Sequence, residues 1–266
     1  MLKKRLIPCL LLKNGLLVRS EKFSIHQILG NPIHEVERFN HWSVDELVYL
    51  DITPDGDAGY DLRRDDMRVK DVADPLDILE DVSKTCFMPL TWGGRIRSIA
   101  DMRERFRRGA DKITLNTAAV ENPDLLVEGS RAFGAQAMVV SMDVKRLADG
   151  RCEVLTRGGK KSTGLTPTDW AREVERLGAG EIFLNSIDRD GCARGYDLEL
   201  IKSVVAATSV PVIACGGVGR YEDFVAGIRA GASAVSAANI FHFKELSDRG
   251  AKRVMRAGGV DVRSPQ

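Results

Sequence analysis

Short apolar runs rich in β-branched residues alternate along the whole chain with segments that have the periodicity of amphipathic helices. Apolar runs of this length predict strands buried on both faces, and the segments between them predict crossover helices that join parallel strands. Each run is followed by a candidate helix, for example 32–40 and 168–177. The eight predicted strands are residues 6–12, 46–52, 88–92, 112–115, 137–144, 181–187, 210–214 and 234–237.

Eight β/α units in about 250 residues are the size of a closed (β/α)8 barrel. An open doubly wound sheet is the competing architecture, and it would carry a Gly-x-Gly-x-x-Gly fingerprint after the first strand. The first run leads instead into the turn sequence Lys13-Asn14-Gly15. We therefore expect an α/β protein with a (β/α)8 TIM-barrel fold, formed as a single domain by residues 1–266.

An internal repeat divides this predicted barrel into two halves of four units each. A repeat at a fixed displacement indicates duplication of a structural unit. Six single residues recur at a displacement of 122 positions, and residues 10–13 also align with residues 142–145 at a displacement of 132. We therefore predict two fused half-barrels. The residues that recur at a displacement of 122 are Pro89, Gly94, Asp101, Arg107, Gly109 and Ala110, which match Pro211, Gly216, Asp223, Arg229, Gly231 and Ala232.

Charge and hydropathy exclude two classes of partner. The chain carries 39 Lys and Arg against 38 Asp and Glu, which gives a net charge of +1. Proteins that neutralise nucleic-acid phosphates or lie on anionic membranes need a basic excess, so we expect neither a nucleic acid nor a membrane as partner. No apolar stretch approaches the roughly 18 residues of a membrane span, and no cleavage site follows the basic start, so we expect a cytoplasmic protein.

The cysteines and histidines do not have the spacings of a disulfide framework or a metal site. The five cysteines lack a Cys-x-x-Cys pair, and the four histidines lack a His-x-x-x-His pair. We expect no metal and no cofactor. We interpret the cysteines as small buried hydrophobic residues and the histidines as surface or helix-packing residues. They are Cys9, Cys86, Cys152, Cys192, Cys215, His26, His34, His41 and His242.

A glycine turn follows the third strand of each half, and a small polar cluster follows the fourth. Glycine turns let backbone N–H groups approach an anion, and a helix N-terminus adds positive partial charge. We predict one phosphate site in each half, and hence a small-molecule ligand with two phosphates; the alternative is a plain tight turn. Arg95 stands where the second half has Gly217, so it either binds phosphate with its side chain or fills the site. The predicted phosphate-binding residues are Gly94, Arg95, Asn116, Thr117, Gly216, Gly217, Ala238 and Asn239.

Two aspartates stand at the carboxyl ends of the fifth and sixth predicted strands. Asp143 and Asp188 come at the carboxyl ends of these strands, where barrel active sites are built and a carboxylate can act as general acid or base. The alternative for each is a helix cap or a turn. The charged stretch from Asp55 to Asp77 follows the second strand and is either a lid over the same face or a solvated insertion.

Several longer motifs closely resemble the cyclase subunit of imidazole glycerol phosphate synthase, and the likeness runs nearly end to end. The resemblance implies a barrel of two half-barrels that binds a bis-phosphate substrate. It also implies a glutaminase subunit docked at the amino-terminal face, from which ammonia passes through the barrel. The motifs are residues 45–52, Gly109-Ala110-Asp111-Lys112, residues 116–123, Gly178-Ala179-Gly180-Glu181-Ile182, Ser186-Ile187-Asp188-Arg189-Asp190-Gly191 and Phe241-His242-Phe243.

The resemblance assigns roles to single residues. Asp143 matches the family's general acid/base, with Asp188 as a supporting carboxylate, and Asp111 lies at the partner-docking face. The charged ring that gates the ammonia entrance is matched by Arg5, Glu46, Lys112 and Glu181.

Three departures fall in the first half-barrel. Leu11 stands where the family's cyclase has an aspartate, Arg19 replaces the phosphate-binding lysine of the following loop, and Arg95 breaks the first glycine triplet. Leucine cannot transfer a proton, and arginine differs from lysine in geometry. This asymmetry resembles the divergent branch of the family that works with a glutaminase-like partner and a separate amidotransferase in the amidation of surface-polysaccharide sugars.

Three hypotheses about function follow. The first is an ammonia-conducting subunit of a sugar-amidating system, which would also involve a sugar amidotransferase. The second is the histidine-pathway cyclase, in which Asp143 works with a replacement acid. The third is a non-catalytic partner that activates a glutaminase. The chain shows no Cys or Ser nucleophile in an elbow motif, so each hypothesis needs a partner chain that makes the ammonia.

Overall fold

The computed structural model describes residues 3–40, 44–56, 74–243 and 247–263. The strands are β1 (Arg5–Lys13), β2 (Leu16–Glu21), β3 (Ile25–Gly30), β4 (Leu47–Asp51), β5 (Leu90–Gly93), β6 (Lys112–Leu115), β7 (Met138–Arg146), β8 (Cys152–Thr156), β9 (Lys161–Ser162), β10 (Glu181–Ser186), β11 (Val212–Cys215) and β12 (Ala234–Ala237). The helices are α1 (Pro32–Asn40), α2 (Pro75–Thr85), α3 (Ile99–Arg107), α4 (Thr117–Glu121), α5 (Pro123–Phe133), α6 (Pro167–Arg176), α7 (Leu198–Ala207), α8 (Glu222–Arg229), α9 (Asn239–Phe243) and α10 (Ser247–Ala257).

Eight of these strands are parallel and close into a barrel. They pair in the order β1, β4, β5, β6, β7, β10, β11 and β12, and β12 pairs with β1 to complete the circle. Helices lie between successive strands, so the prediction of a (β/α)8 barrel is confirmed. Within the described ranges, no helix is both long and apolar enough to cross a membrane.

Two antiparallel hairpins extend the barrel at the carboxyl ends of its strands, and neither was predicted. β2 pairs with β1 and β3, and β8 pairs with β7 and β9. The first hairpin turns at Asn14 and Gly15, both with positive φ. Because β1 and β7 each begin a half-barrel, the two hairpins stand at corresponding places in the repeat.

The start of α6 differs from the prediction by one position. The sequence suggested a helix from residue 168, but α6 begins at Pro167. Thr166 is the N-cap, and its side chain accepts a hydrogen bond from the Asp169 backbone N–H. Proline is favoured in the first helical turn because its missing N–H has no partner to lose there.

The barrel separates two apolar clusters. The larger lies between the strands and the surrounding helices. The smaller fills the inside of the barrel, which we call the lumen, because every second residue of a barrel strand points inward. Its buried members are Ile7, Cys9, Val48, Val139, Phe183, Ile213, Cys215 and Ala234. Cys9 and Cys215 are thus buried as predicted, whereas Cys86, Cys152 and Cys192 are only partly buried.

Matching hydrogen bonds support the internal repeat. The Arg97 N–H donates to Asp101 Oδ2 at 2.9 Å, and 122 positions later the Gly219 N–H donates to Asp223 Oδ2 at 2.9 Å. Each bond closes the loop between the third strand of its half and the following helix. The two halves therefore use the same local structure to end the strand that carries the glycine turn.

Candidate active site

A closed ring of four charges lies at the amino-terminal end of the lumen. Three of its members begin barrel strands and Glu46 directly precedes one, so the four lie at the same end of the barrel. Each cation contacts both anions, and each side chain is less than a fifth exposed. The contacts are Arg5 to Glu46 at 2.6 Å, Arg5 to Glu181 at 2.5 Å, Lys112 to Glu46 at 3.1 Å and Lys112 to Glu181 at 2.7 Å. The structure thus brings together the four residues that the resemblance named.

Three polar side chains occupy inward-facing positions between this charged ring and the other end of the barrel. They are Thr114, Asn185 and Ser236, all buried. Among the described residues, each holds a side-chain oxygen that has no hydrogen-bond partner. A buried polar atom without a partner is costly, and a small molecule that hydrogen-bonds can satisfy it. The lumen therefore offers hydrogen bonds that a small neutral molecule could use.

Asp143 lies at the opposite end of the lumen, on β7. We call this carboxyl-terminal end of the strands the mouth. The Asn116 side-chain amide donates to Asp143 Oδ2 at 3.1 Å and to the Ser141 carbonyl at 3.0 Å. Burial raises the pKa of the Asp143 carboxyl to about 7, the charge of Asp190 adds to the rise, and a hydrogen bond with Ser141 opposes it. A carboxyl with this pKa can take or give a proton near neutral pH.

The carboxylate beside Asp143 is Asp190, which sequence reasoning missed. Asp190 is buried, and its Oδ2 accepts a hydrogen bond from the Ser20 hydroxyl at 2.7 Å. Burial raises the pKa of Asp190, whereas bonds from Ser20 and the Phe23 N–H oppose the rise. The hairpin of β2 and β3 thus contacts the mouth through Asp190.

Asp188 does not join this pair in the structure. Asp188 lies in the turn after β10, and its Oδ2 accepts a hydrogen bond from the Arg146 N–H at the end of β7 at 2.7 Å. β10 ends at Ser186, so the strand alternation no longer fixes where the next aspartates point. The one available signal was that the motif Asp188-Arg189-Asp190 offers two carboxylates.

Leu11 packs at the inward-facing cluster near the mouth. It is partly buried, contacts the lumen cluster and pairs in register with Leu50 of β4. The position where the family's cyclase has an aspartate is therefore apolar here, next to a second leucine. Neither side chain can exchange a proton.

The glycine loop of the second half has the backbone of an anion cradle. Gly216 has φ 90° and Gly217 has φ 108°, and a side chain at Gly217 would meet the Gly195 carbonyl oxygen at 2.3 Å. Only glycine fits such a position. Ala238 and Asn239 follow β12, and the Asn239 amide donates to the Ser20 carbonyl at 3.1 Å. Asn239 therefore links this loop cluster to the first hairpin.

The corresponding loop of the first half carries Arg95 at a positive φ of 54°. Arg95 Nε lies 3.3 Å from Asp51 Oδ2. Thr117 Oγ1 accepts a hydrogen bond from the Arg157 N–H at 3.0 Å. Arg19 Nε donates to Gln27 Oε1 at 2.7 Å, within the β2–β3 hairpin. The first-half phosphate candidates thus have protein partners in this structure.

Two further predictions have different outcomes. Asp111 accepts a hydrogen bond from the Leu90 N–H at 2.8 Å, which places it beside the start of β5 at the amino-terminal face. Most of the charged stretch 55–77 lies outside the described residues, which resume at residue 74.

Within the described part of the chain, no three His, Cys, Asp or Glu residues are grouped to hold a metal ion.

Comparison with known proteins identifies the family. The model of the histidine biosynthesis protein family matches residues 5–247. The chain belongs to this family. Within it, the chain is 43% identical over 264 residues to the imidazole glycerol phosphate synthase subunit HisF of Alkaliphilus metalliredigens, which covers 99% of the chain and 100% of that relative. It is also 43% identical over 265 residues to the subunit of the same name from Caulobacter vibrioides, which covers 99% of the chain and 97% of the relative.

These relatives make the chain a HisF-like member of the histidine biosynthesis family, as the sequence motifs implied. Both alignments run through the residues of the charged ring and of the mouth. The family expectation from the sequence is therefore confirmed at the level of the synthase subunit.

Proposed function

We propose that the chain is a synthase-type subunit that receives ammonia from a glutaminase partner at its amino-terminal face and delivers it through the lumen to the mouth. The observation that carries this proposal is the arrangement along one axis. The charged ring lies at one end of the lumen, and Asp143, with a pKa of about 7, lies at the other. The names of the relatives, which are synthase subunits, agree with it.

The lumen between these ends suits ammonia. Ammonia is small, neutral and able to donate and accept hydrogen bonds. Apolar walls such as Val139 and Phe183 do not hold ions, and the unpartnered oxygens of Thr114 and Ser236 offer hydrogen bonds along the way. At the mouth, Asp143 can accept or donate the proton that a reaction of ammonia requires.

We propose further that ammonia is used to amidate a surface-polysaccharide sugar, in a system that includes a sugar amidotransferase. Leu11 supports this choice, because an apolar side chain takes the place of one carboxylate of the family's acid/base pair. The retained charged ring supports continued delivery of ammonia. Asp111, at the amino-terminal face, belongs to the docking surface for the glutaminase in this proposal.

A second candidate function is the histidine-pathway cyclase, which the names of the relatives favour. The observation on its side is Asp190, whose charge acts on Asp143 at the mouth. Asp190 would be the replacement acid that Leu11 makes necessary. In this candidate the substrate is the bis-phosphate ribulosyl precursor, and the products are imidazole glycerol phosphate and the aminoimidazole carboxamide ribotide.

In both candidates we propose that the second-half loop binds a phosphate. Gly216 and Gly217 supply backbone N–H groups close to the ligand, and Ala238 and Asn239 complete the site from the next strand. A glycine-rich turn followed by a helix is a common phosphate site in barrels. Gly217→Ala should therefore weaken binding of a sugar phosphate, since the added carbon would meet the Gly195 carbonyl.

Cyclase turnover is the decisive experiment. The purified chain, with the histidine-pathway precursor and saturating ammonium at alkaline pH, is expected to show no turnover, because Leu11 cannot transfer a proton. Leu11→Asp should restore measurable turnover, and Leu11→Asn, which is similar in size and uncharged, is the matched control. Turnover by the unaltered chain would overturn the sugar-amidation proposal in favour of the cyclase.

A second arm uses the glutaminase partner. If the chain delivers ammonia to a reaction at the mouth, Asp143→Asn should abolish product formation by the complete amidating system while glutaminase activity is retained. Product formation that Asp143→Asn leaves unchanged, together with stimulated glutaminase, would instead identify a non-catalytic activator.

A further inference from the structure

The loop after β5 has a backbone angle similar to that of the loop after β11 at its first glycine but a different one at the next residue. Gly94 and Gly216 have similar φ values of 103° and 90°, whereas Arg95 has φ 54° and its counterpart Gly217 has φ 108°. A φ near 54° lies in the left-handed helical region, which a non-glycine residue adopts at some cost. A φ near 108° is rarely adopted by any residue except glycine. The first-half loop is therefore adjusted to carry a side chain where the second half has none.

A buried arginine holds this adjusted loop in place. Arg105 of α3 donates through Nη2 to the Arg95 carbonyl at 3.1 Å and to the Gly94 carbonyl at 3.5 Å, and through Nη1 to the Asp101 carbonyl at 3.1 Å. Only 7% of Arg105 is exposed. A residue with a positive φ persists where its surroundings fix it, and here the hydrogen bonds from Arg105 fix Arg95. The position of Arg95 is thus set by the fold.

Asp51 forms an ion pair with the Arg95 side chain. The Asp51 side chain, at the end of β4, is 2% exposed, and its Oδ1 accepts a hydrogen bond from the Thr53 N–H at 3.0 Å. Its Oδ2 lies 3.3 Å from Arg95 Nε. This contact uses the inner nitrogen of the guanidinium, and the Arg95 side chain remains 42% exposed at the mouth end of the barrel. The two terminal amino groups of a guanidinium form a fork that matches two oxygens of one anion.

We propose that Arg95 is the specificity-determining residue of the first-half anion site, and that Asp51 is its positioning residue. Arg95 binds an anionic group with two oxygens, a carboxylate or a phosphate, through its terminal amino groups. The first half thus recognises the anion with a side chain, whereas the second half uses glycine backbone. The ligand is a sugar phosphate with a second anionic group at its far end. This statement about the whole ligand rests on the proposed second-half phosphate site.

Calorimetric binding to the purified chain tests the proposal with three probes. They are sorbitol 6-phosphate, 6-phosphogluconate, which adds a carboxylate at the far end, and fructose 1,6-bisphosphate, which adds a phosphate. We expect the unaltered chain to bind one of the doubly anionic probes about 10-fold to 100-fold more tightly than sorbitol 6-phosphate, the range of a charged hydrogen-bond pair. The tighter of the two identifies the anion as carboxylate or phosphate.

Variants connect this preference to Arg95. Arg95→Gln should remove it, and Arg95→Lys, which keeps the charge but not the fork, should retain only part of it. Asp51→Asn should reduce it while leaving the affinity for sorbitol 6-phosphate unchanged, which a general loss of structure would not do. A preference that survives Arg95→Gln would overturn the proposal, as would equal affinity of the unaltered chain for all three probes.

A direct readout separates this inference from the second-half phosphate site. The Arg95 Nε–Hε resonance in the nuclear magnetic resonance spectrum, assigned by its loss in Arg95→Gln, should shift saturably with acetate or with inorganic phosphate. A shift without binding of any sugar phosphate would leave Arg95 as an anion site and refute the second-half site. Absence of a shift at saturating concentrations of both ions, with bound sugar phosphate, would refute the role of Arg95 alone.

Discussion

The carboxyl group of Asp143 is enclosed by protein and pairs with a neutral amide rather than a cation. Asn116 donates to it, and the nearby charge is that of another acid, Asp190. Burial and the charge of Asp190 favour the protonated form. A pKa of about 7 therefore follows from the buried position of Asp143 on β7 near Asp190, and it makes the residue suitable for proton transfer and costly to ionise.

Asp143→Asn should make the fold more stable at alkaline pH. The pKa of Asp143 is raised to about 7 in the folded state, whereas its pKa in the unfolded chain is near 4, so the folded protein holds this proton more tightly. The resulting contribution to the free energy of unfolding is fully present below about pH 4 and is lost as the pH rises through 7. Asparagine does not ionise, so the variant should gain about 2–4 kcal/mol over the unaltered chain at pH 9 and almost nothing at pH 4.

Urea unfolding at several pH values measures this difference. Asp188→Asn is the matched control, since the Asp188 carboxylate lies in an exposed hydrogen bond with the Arg146 N–H. A gain that is independent of pH for Asp143→Asn, or equal in the two variants, would contradict the assignment of the raised pKa to Asp143.

For single residues, the sequence was sufficient to place Asp143 at the carboxyl end of its strand. It could not decide which of the two aspartates that follow β10 lies near Asp143. Asp143 is within a strand, where alternation fixes the inward direction. Asp188 and Asp190 follow the strand, in a turn whose course depends on contacts with Ser20 and Phe23, some 170 residues away. Long-range contacts of this kind leave no periodic pattern in the sequence.

Among the elements, helices and barrel strands follow closely from local pattern, and the hairpins do not. The bounds of β6, β12 and α1 match their predictions. The strands of the first hairpin were missed because β3 is exposed or only partly buried along its whole length, so it lacks the apolar run by which strands were recognised. The hairpin meets the mouth through Ser20 of β2 and the Phe23 N–H, which both donate to Asp190, and burial patterns in sequence do not report such contacts.

The N-cap of α6 gives a test at the scale of one element. Thr166→Ala should reduce the free energy of unfolding by about 1 kcal/mol, because the hydroxyl that accepts from the Asp169 N–H is lost. Thr168→Ala, two residues later within the helix, is the matched control and should cost less. Thermal unfolding of both variants compares them, and a larger loss for Thr168→Ala would contradict the assignment of Thr166 as the N-cap.

For the whole molecule, the charged ring joins strands that are distant in sequence. Arg5, Glu46 and Lys112 come from the first half and Glu181 from the second, and the Arg5 to Glu181 contact spans 176 residues. Each charge in the ring touches two of opposite sign, so removing one anion leaves two poorly solvated cations that share the other. Such uncompensated charges are among the costlier changes in a fold.

Glu181→Gln should therefore lower the free energy of unfolding by about 2–4 kcal/mol. Glu199→Gln, which removes an exposed partner of Lys202, is the control and should change stability by less than about 0.5 kcal/mol. Denaturant unfolding at neutral pH compares the two. Equal small effects would show that the ring contributes no more than a surface ion pair.

Because the ring needs strands from both half-barrels, neither half can complete it alone. A folding chain must first bring together segments separated by well over a hundred residues, a slow step dominated by the entropy of closing large loops. The two contacts of Glu181, with Arg5 and with Lys112, can form only when the halves pack together, and we expect them to slow unfolding more than they speed folding. At the amino-terminal face, Glu181 thus fastens the second half-barrel to the first through two ion pairs.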